Sequence, residues 1–315
     1  MTLQELVDEI DKQPAWERQG TRAPHKPLAI LFAIGRALAK KRLTRFSDAE
    51  AQLIALLEQF GPPRESPRPA EPIWRMRRYR SRPTRFWELN GAIPPELLDQ
   101  DNPPIGPIRQ HVSFGLSEEA SKLICENPAN AYALAAALAD KIAPPTLQEE
   151  LLEAVGVGPR GSPMTALGIA AAAAGPVLIG RAMRTVSTLV RDPAFSRRVR
   201  RAYNDSCAIC SISPRLEGKV FGLEAAHIRW ANAGGPDELR NGVCLCRMHH
   251  HALDKGALKI DKDMKVQLSP KLAKSPECDE LFASFGGEEI RLPSKTADHP
   301  HPTMLAWHWR EVFKG

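Results

Sequence analysis

The stretch that decides the fold of this chain reads CAIC at 207–210, GLEAAHIRW at 222–230 and GGPDELRNGVCLCRMHHHALDKGAL at 234–258. It contains two pairs of metal-binding residues, each with two residues between its members: Cys207 with Cys210, and Cys246 with His249. Two such pairs are typical of a tetrahedral structural zinc site. We therefore expect the first pair on a tight turn and the second at the start of a helix, with structural Zn²⁺ between them.

The same cysteines have an alternative interpretation as buried free thiols that include a redox Cys-x2-Cys motif. A redox motif leaves Cys246 and His249 without a role, so we favour zinc. Cys244 lies two residues before Cys246 on a predicted strand, and it is expected to point the same way. We assign the ligand to Cys246 because it alone has the two-residue spacing to His249.

A second pattern overlaps the first and consists of His227, Asn241, His250 and Asp254, with 13, eight and three residues between successive members. His250 and Asp254 are four residues apart, so they share one face of a helix. The second zinc pair lies on a neighbouring stripe of the same helix. One helix is therefore expected to serve two metal ions, one structural and one catalytic.

Together with LAWHWREVF at 305–313, these strings resemble the HNH endonucleases of the ββα-metal type. The resemblance implies two strands that carry His227 and Asn241, followed by a helix that carries the last ligands. A neutral His227 is suited to remove a proton from the attacking water. His250 and Asp254 are the candidate ligands of a catalytic divalent ion, Mg²⁺ or Mn²⁺. In relatives, Asn241 either binds this ion or braces the loop that carries the base.

One position departs from the HNH pattern. Many relatives have an aspartate or histidine ligand immediately before the catalytic histidine, whereas this chain has Ala226. Glu224 replaces that ligand if its strand allows it to reach the ion. The alternative for the whole region is a degenerate HNH fold, a zinc-stabilised module that binds DNA without cutting it.

The rest of the sequence predicts an α+β protein with two domains: a mainly helical N-terminal domain with a few short strands, and a C-terminal HNH domain. We assign residues 1–157 to DNA recognition, 158–190 to a linker or connecting helix, and 191–315 to the endonuclease domain. The expected helices are 28–41, 47–60, 117–125, 129–142, 146–155, 193–204 and 302–313. Extended pieces are expected near Trp74 and Phe86, and strands near 257–268 and 288–292.

Arginines are dense between residues 75 and 85, where the sequence RMRRYRSRPTR is flanked by Trp74, Phe86 and Trp87. Guanidinium groups bind phosphate oxygens in pairs, so such a segment is suited to contact the DNA backbone. The candidate DNA-binding residues here are Arg75, Arg77 and Arg78. The alternative is a solvated basic loop whose aromatic residues belong to the core.

Five more strings occur in order: RAPHKPLAILFAIGRALA at 22–39, FGPPR at 60–64, PIWRMR at 72–77, FWEL at 86–89 and LQEELLEAVG at 147–156. With the nuclease pattern behind them, they resemble the phosphorothioate-dependent (type IV, McrA-type) restriction endonucleases, in which a sulfur-binding domain is fused to an HNH domain. The resemblance implies binding of double-stranded DNA in which sulfur replaces a non-bridging phosphate oxygen.

The residues that the resemblance assigns to the modified phosphate, its bases or the sulfur pocket are Arg18, His25, Lys26 and Pro72. A small apolar pocket favours sulfur, because a phosphate oxygen placed there loses its hydration without compensation. Glu71 stands where relatives often have an aromatic residue, and Arg75 where a small residue is common. An HNH nuclease gated by another DNA mark, such as methylcytosine, is the alternative.

The 315 residues carry a formal net charge of +6, which favours a polyanionic partner without proving one. The acidic start MTLQELVDEI is unlike a signal peptide, and the longest apolar run, 167–180, is too short to cross a bilayer. We expect a cytoplasmic protein with no membrane partner. Cutting both strands of a duplex needs two active sites or one site acting twice, and a homodimer is one way to meet that need.

Overall fold

The computed structural model describes residues 1–13, 23–64, 66–80, 82–157 and 193–315. The chain divides into two compact units, Met1–Ser187 and Thr188–Gly315. The predicted α+β class is confirmed, and the predicted connecting segment at 158–190 lies outside the described residues. Among the helices of the described segments, none has the length and hydropathy needed to cross a membrane.

The first unit is mainly helical. Its helices, α1–α9, are Leu3–Asp11, His25–Leu38, Phe46–Phe60, Ala70–Arg75, Pro95–Leu98, Ile105–His111, Glu118–Glu126, Pro128–Ile142 and Pro145–Ala154. Its strands, β1–β5, are Leu43–Arg45, Arg78–Tyr79, Arg82–Pro83, Trp87–Asn90 and Ser113–Leu116. Strands β1, β5 and β4 form an antiparallel sheet in that order, and β2 pairs with β3 as a short ribbon.

Helix α2 is the centre of this unit. It is apolar on nearly every face, and it packs against α3, α4, α7, α8 and β5. It begins at His25 rather than at the predicted residue 28, because Pro27 falls in the first turn, where a missing N–H leaves no helical hydrogen bond unmade. It ends at Leu38 rather than at residue 41, since Lys40 has a positive φ of 60°. The observed helix therefore lies about one turn closer to the N-terminus than the predicted helix at 28–41.

The extended piece predicted near Trp74 was wrong, because this residue lies in helix α4. Pro72 is the third residue of that helix, again in the first turn, where proline is tolerated. Glu71 and Arg75 lie one turn apart and form a salt bridge of 2.8 Å between Oε1 and Nη2, which supports the short helix. Phe86 directly precedes strand β4, so the second extended piece was placed correctly.

The second unit contains four α-helices among its described residues, α10–α13: Pro193–Ala202, Arg247–Lys255, Pro276–Leu281 and Pro302–Glu311. Its strands, β6–β11, are Arg215–Leu216, Lys219–Val220, Leu223–His227, Gly242–Cys246, Leu258–Ile260 and Val266–Leu268. Strands β8 and β9 are antiparallel, with His227 opposite Gly242, and α11 follows β9 directly. This is the strand–strand–helix order that the sequence predicted. Near 288–292, only an isolated bridge from Glu289 to Lys265 forms.

Helix α10 lies against β8 and β9 at a position that only glycine permits. A Cβ atom on Gly242 would lie 2.4 Å from Cγ2 of Val199 and 3.0 Å from Cζ of Phe195. The close approach brings the Phe195 ring onto the imidazole of His227, with 4.3 Å between ring centroids and 23° between planes. A packing constraint in the core therefore determines the surroundings of a predicted catalytic residue.

We expect Gly242→Ala to destabilise the protein by about 1–3 kcal/mol, because the added methyl group forces α10 away from β9. Denaturant unfolding of the full chain measures the change. Gly106→Ala is the control, since its new Cβ would have no heavy atom within 4 Å and alanine favours a helix such as α6. Equal stabilities of the two variants would contradict the packing argument.

Candidate functional site

Four predicted metal-binding side chains come together in the second unit. Cys207 and Cys210 lie on the turn after α10, Cys246 ends β9 and caps α11, and His249 is in the first turn of α11. Their ligand atoms all lie within 4.8 Å of one another. Within the described segments, this is the one group of three or more His, Cys, Asp or Glu residues with such spacing.

The turn that carries the first pair is a knuckle closed by backbone hydrogen bonds. The N–H of Ser211 donates to the carbonyl of Cys207 over 3.0 Å, and the N–H of Cys207 donates to the carbonyl of Ile212 over 2.9 Å. The N–H of Ala208 donates over 2.7 Å to the carbonyl of Cys244, which ties the knuckle to β9. The knuckle is therefore held beside the strand that delivers Cys246.

The spacing of the donor atoms fits a tetrahedral zinc ion. The Sγ atoms of Cys210 and Cys246 are 3.9 Å apart, and Nδ1 of His249 lies 3.2 Å from Sγ of Cys246 and 3.6 Å from Sγ of Cys207. Sulfurs bound at 2.3 Å in a tetrahedron are separated by roughly 3.8 Å. Nε2 of His249 lies 3.0 Å from the carbonyl oxygen of Leu281, so a proton on Nε2 leaves Nδ1 as the donor to a metal.

Position separates the four grouped side chains from Cys244, which is not among the residues whose ligand atoms lie within 4.8 Å of one another. Hydrogen bonds among the close thiols lower the pKa of Cys207 and raise the pKa of Cys210. Burial, with a smaller contribution from Cys207, raises the pKa of Cys244 to about 12. Cys244 is therefore a buried thiol outside the ligand group, although it is on the same strand as Cys246.

His227, the predicted base, lies at the end of β8. Its Nε2 is 2.7 Å from Oδ1 of Asp237, and one face of its ring stacks on Phe195. Asp237 was not predicted from the sequence. The strand expected to carry Asn241 begins one residue later, at Gly242. The available signal was an acidic residue in the loop between His227 and Asn241, but spacing alone does not select it over its neighbour Glu238.

Asn241 is completely buried and braces the loop between β8 and β9. Its Nδ2 donates to the carbonyl oxygens of Arg229 and Pro236 over 3.0 Å each, and its Oδ1 accepts the N–H of Arg229 over 2.8 Å. These contacts hold both ends of the loop together. Of the two roles left open for Asn241, its hydrogen bonds favour the bracing role.

His250 and Asp254 share a helix face, as predicted, and both are buried. Oδ2 of Asp254 lies 3.1 Å from Nε2 of His250, and Oδ1 of Asp254 accepts the indole N–H of Trp230 over 2.8 Å. The other imidazole nitrogen, Nδ1, is 2.7 Å from Oε2 of Glu224. Burial lowers the pKa of His250, but Asp254 and Glu224 outweigh it and raise the pKa to about 9.

Glu224 and His250 together fit a divalent ion. Ligands at about 2.1 Å in an octahedral shell are roughly 3 Å apart, close to the 2.7 Å between Glu224 Oε2 and His250 Nδ1. A carboxylate oxygen and an imidazole nitrogen suit Mn²⁺, and the carboxylate suits Mg²⁺. Asp254 lies on the far nitrogen of the same ring, where it orients the imidazole.

In the first unit, His25 and Lys26 form the first turn of α2 and are half-buried. Burial and the nearby Arg64 lower the pKa of His25 against an opposing effect of Glu71. Burial and Arg75 lower the pKa of Lys26. The start of α2 therefore has a crowded positive potential, to which the helix dipole adds. Arg18 lies outside the described residues.

The other predicted DNA-binding residues are engaged within the protein. Pro72 is buried in α4. Arg75 pairs with Glu71 and donates to Oδ1 of Asn102 over 2.7 Å. The guanidinium of Arg77 stacks on the Trp74 ring at 4.2 Å and donates to three backbone carbonyls. Arg78 pairs with Asp101 over 2.7 Å.

The chain matches two described families in separate segments. Residues 207–261 match the HNH endonuclease family, and this segment contains every residue of the two overlapping patterns. Residues 3–160 match the family described as ScoMcrA-like, DNA sulfur-binding domain. No protein with a curated description matches the chain.

Among solved structures, the chain is similar to one titled "Modification dependent TagI restriction endonuclease", at 24% identity and a TM-score of 0.29. The match covers 38% of this chain and 37% of that one, so this chain spans little more than a third of that protein. The match at 3–160 includes half of the present chain. The chain therefore belongs to the family of ScoMcrA-like DNA sulfur-binding domains, and it also has an HNH endonuclease domain.

Proposed function

We propose that this protein is a modification-dependent DNA endonuclease, in which the first unit binds phosphorothioated duplex DNA and the second hydrolyses a nearby phosphodiester bond. The observation that carries the proposal is the arrangement of β8, β9 and α11. These elements carry His227, whose Nε2 contacts Asp237, and the Glu224–His250 pair. His227 and Glu224 are three residues apart on one strand, roughly 10 Å along its axis.

In this mechanism His227 accepts the proton of the attacking water, which suits an imidazole near neutral pH. Asn241 keeps the loop next to this base closed. Phe195 covers one ring face and limits rotation of the imidazole. These residues belong to the chain segment from α10 to the start of β9, so the base is held by local structure.

We propose Glu224 and His250, rather than His250 and Asp254, as the protein ligands of the catalytic divalent ion. Both acids have bonded carboxylate oxygens, but those of the buried Asp254 are held by Trp230 and His250, whereas the partner of Glu224 Oε1 is the exposed Arg247. Glu224 is less buried and lies on the Nδ1 side of the ring. Bound there, Mg²⁺ or Mn²⁺ supplies positive charge to the scissile phosphate and to the leaving oxygen.

We propose structural Zn²⁺ as the ion held by Cys207, Cys210, Cys246 and His249. Three thiolates and an imidazole are a preferred donor set for zinc, and a shell closed by four protein ligands is typical of a structural site. Zinc would therefore stabilise the position of α11, which carries His250.

For recognition, we propose that the start of α2 contacts the modified DNA backbone. His25, Leu57, Glu58, Pro62, Arg64 and Pro67 line a depression there, which combines apolar walls with the imidazole of His25, the guanidinium of Arg64 and the carboxylate of Glu58. Apolar walls accept a sulfur atom at little cost, whereas an oxygen loses its hydration. The Glu71–Arg75 pair keeps the acidic side chain neutralised on the neighbouring helix.

Another DNA mark remains the second candidate, since the same depression has no feature that selects sulfur over a methyl group. Equilibrium binding to phosphorothioated, methylcytosine-containing and unmodified duplexes of one sequence distinguishes these. Preference for the methylated duplex alone would overturn the sulfur assignment.

A homodimer in which each chain cuts one strand is our proposal for double-strand cleavage, and analytical ultracentrifugation with DNA tests it.

We expect the purified protein to contain one zinc ion per chain, because a single set of four ligands holds it. Cys246→Ala should remove the metal and lower the free energy of unfolding. Cys244→Ala is the matched control and should retain zinc, since this thiol lies outside the ligand group. Metal content is measured by plasma emission spectrometry, and equal zinc loss in both variants would contradict the assignment.

We expect Glu224→Gln to weaken Mn²⁺ binding at least tenfold, because a neutral amide oxygen is a poorer ligand than a carboxylate (a factor of about 10–100 for altered metal shells). Titration calorimetry on the zinc-loaded chain measures this. His227→Ala should abolish cleavage of phosphorothioated DNA while leaving Mn²⁺ affinity unchanged.

Arg247→Gln is the control for Glu224→Gln, because it removes the exposed partner of Oε1 without touching Oε2. This variant should bind Mn²⁺ at least as tightly as the wild type. A loss of Mn²⁺ affinity in Arg247→Gln equal to that in Glu224→Gln would show that the carboxylate acts through its salt bridge.

We expect Lys26→Ala to weaken DNA binding and to reduce the salt dependence of affinity by about one ion, as for loss of one phosphate contact. Lys41→Ala, an exposed lysine beyond the other end of α2, should change neither. Fluorescence anisotropy at several salt concentrations measures both. If the wild type and both variants had the same salt slope, the result would contradict a DNA contact at the start of α2.

The same assay tests His25 through pH. Its pKa is lowered in the free protein by burial and Arg64, and a bound phosphate favours the protonated form. Binding therefore takes up a proton, so affinity should rise as pH falls from about 7.5 to about 6. His25→Asn should lose this component, and a pH profile unchanged by the substitution would contradict the contact.

A further inference from the structure

The Nε2 atom of the His227 ring has a carboxylate partner, and this contact bears on the proposed nuclease reaction. Nε2 faces Oδ1 of Asp237 at 2.7 Å. A carboxylate only accepts hydrogen bonds, so this contact requires a proton on Nε2. In a neutral imidazole the second nitrogen, Nδ1, then has the lone pair. Asp237 therefore selects the nitrogen that is able to act as a base.

Several elements hold Asp237 in place. Nη2 of Arg198, on α10, donates to the backbone carbonyl of Asp237 over 3.0 Å. Nδ2 of Asn241 donates to the carbonyl of the preceding residue, Pro236. Phe195, one turn before Arg198, stacks on the ring that Asp237 contacts. Helix α10 and Asn241 thus position both partners of the contact.

The exposure of this pair argues against a purely structural role. The Asp237 side chain is 48% exposed and that of His227 is 10% exposed. An ion pair with so exposed a carboxylate contributes little to the stability of a fold. An imidazole oriented by a carboxylate is instead the arrangement that suits a general base.

We propose that Asp237 is a positioning residue that keeps the proton on Nε2 of His227, so that Nδ1 takes the proton of the attacking water. This inference rests on the proposed nuclease function. In the step, an O–H bond of water breaks and its proton passes to Nδ1, while the water oxygen forms a bond to phosphorus. The bond from phosphorus to the leaving oxygen breaks, and its electron pair stays on that oxygen. Asp237 then stabilises the resulting imidazolium.

Asp237→Asn tests the proposal, because its amide N–H group is able to donate to Nε2 and so favours a proton on Nδ1 instead. We expect kcat for cleavage of phosphorothioated DNA to fall about 100-fold, within the usual contribution of general base catalysis, with KM unchanged. Asp237→Glu should recover part of the loss. Glu238→Gln, which removes a charge from the same loop, is the matched control and should cleave normally.

A second measurement does not require activity. Nitrogen-15 NMR of the full chain, with His227 assigned by comparison with His227→Gln, reports which ring nitrogen carries the proton. We expect protonated Nε2 in the wild type and in Glu238→Gln, and protonated Nδ1 in Asp237→Asn. Unfolding experiments on the same samples verify that the variants are folded.

The outcomes separate the two proposals. Wild-type cleavage with an unchanged kcat in Asp237→Asn, or an unchanged tautomer in that variant, overturns the positioning role. A wild type that cuts no modified DNA with Mg²⁺ or Mn²⁺ overturns the nuclease function. If Asp237→Asn still shifts the proton in that case, the result supports control of the His227 tautomer by Asp237 but not a role in cleavage.

Discussion

Convergence of Cys207, Cys210, Cys246 and His249 on one centre is the constraint on which the nuclease unit depends. The last two of these residues form the N-cap and the first turn of α11, so the cluster fixes where this helix begins and how it is rotated. The rotation of α11 in turn sets the direction of the His250 side chain, because His250 directly follows His249. The packing of α11 against β8, β9 and β10 acts on the same angle. In our proposal the structural metal therefore acts on catalysis by orienting a helix rather than by contacting DNA.

The second feature is a chain of buried polar contacts from Trp230 through Asp254 and His250 to Glu224. An imidazole between two carboxylates is unusual in a protein interior, because burial of charged groups is unfavourable unless every partner is satisfied. Such groups occur often at functional sites. The two acidic residues differ in exposure: Asp254 is buried on the Nε2 side of the His250 ring, whereas Glu224 is more exposed and lies on the Nδ1 side.

The arginines of the basic segment in the first unit are bonded to other groups of the same unit. Arg75, Arg77 and Arg78 are close in sequence, but their guanidinium groups bind Glu71, backbone carbonyls and Asp101 respectively. They stabilise the loops that follow α4. At the start of α2, burial and neighbouring cations lower the pKa values of His25 and Lys26.

The sequence by itself determined the four ligands of the proposed zinc site, the strand–strand–helix order around His227 and Asn241, and most helices to within a few residues. Each of these depends on spacing along the chain, and helical or strand geometry converts spacing directly into shared faces. Only the tertiary structure identified Asp237 beside His227, Glu224 on the outer side of His250, and the helix at Trp74. These depend on which side chains meet across a loop or between elements, or on how neighbouring elements pack. Residue spacing carries no information about such encounters, because they are decided by the three-dimensional packing of segments distant in the chain.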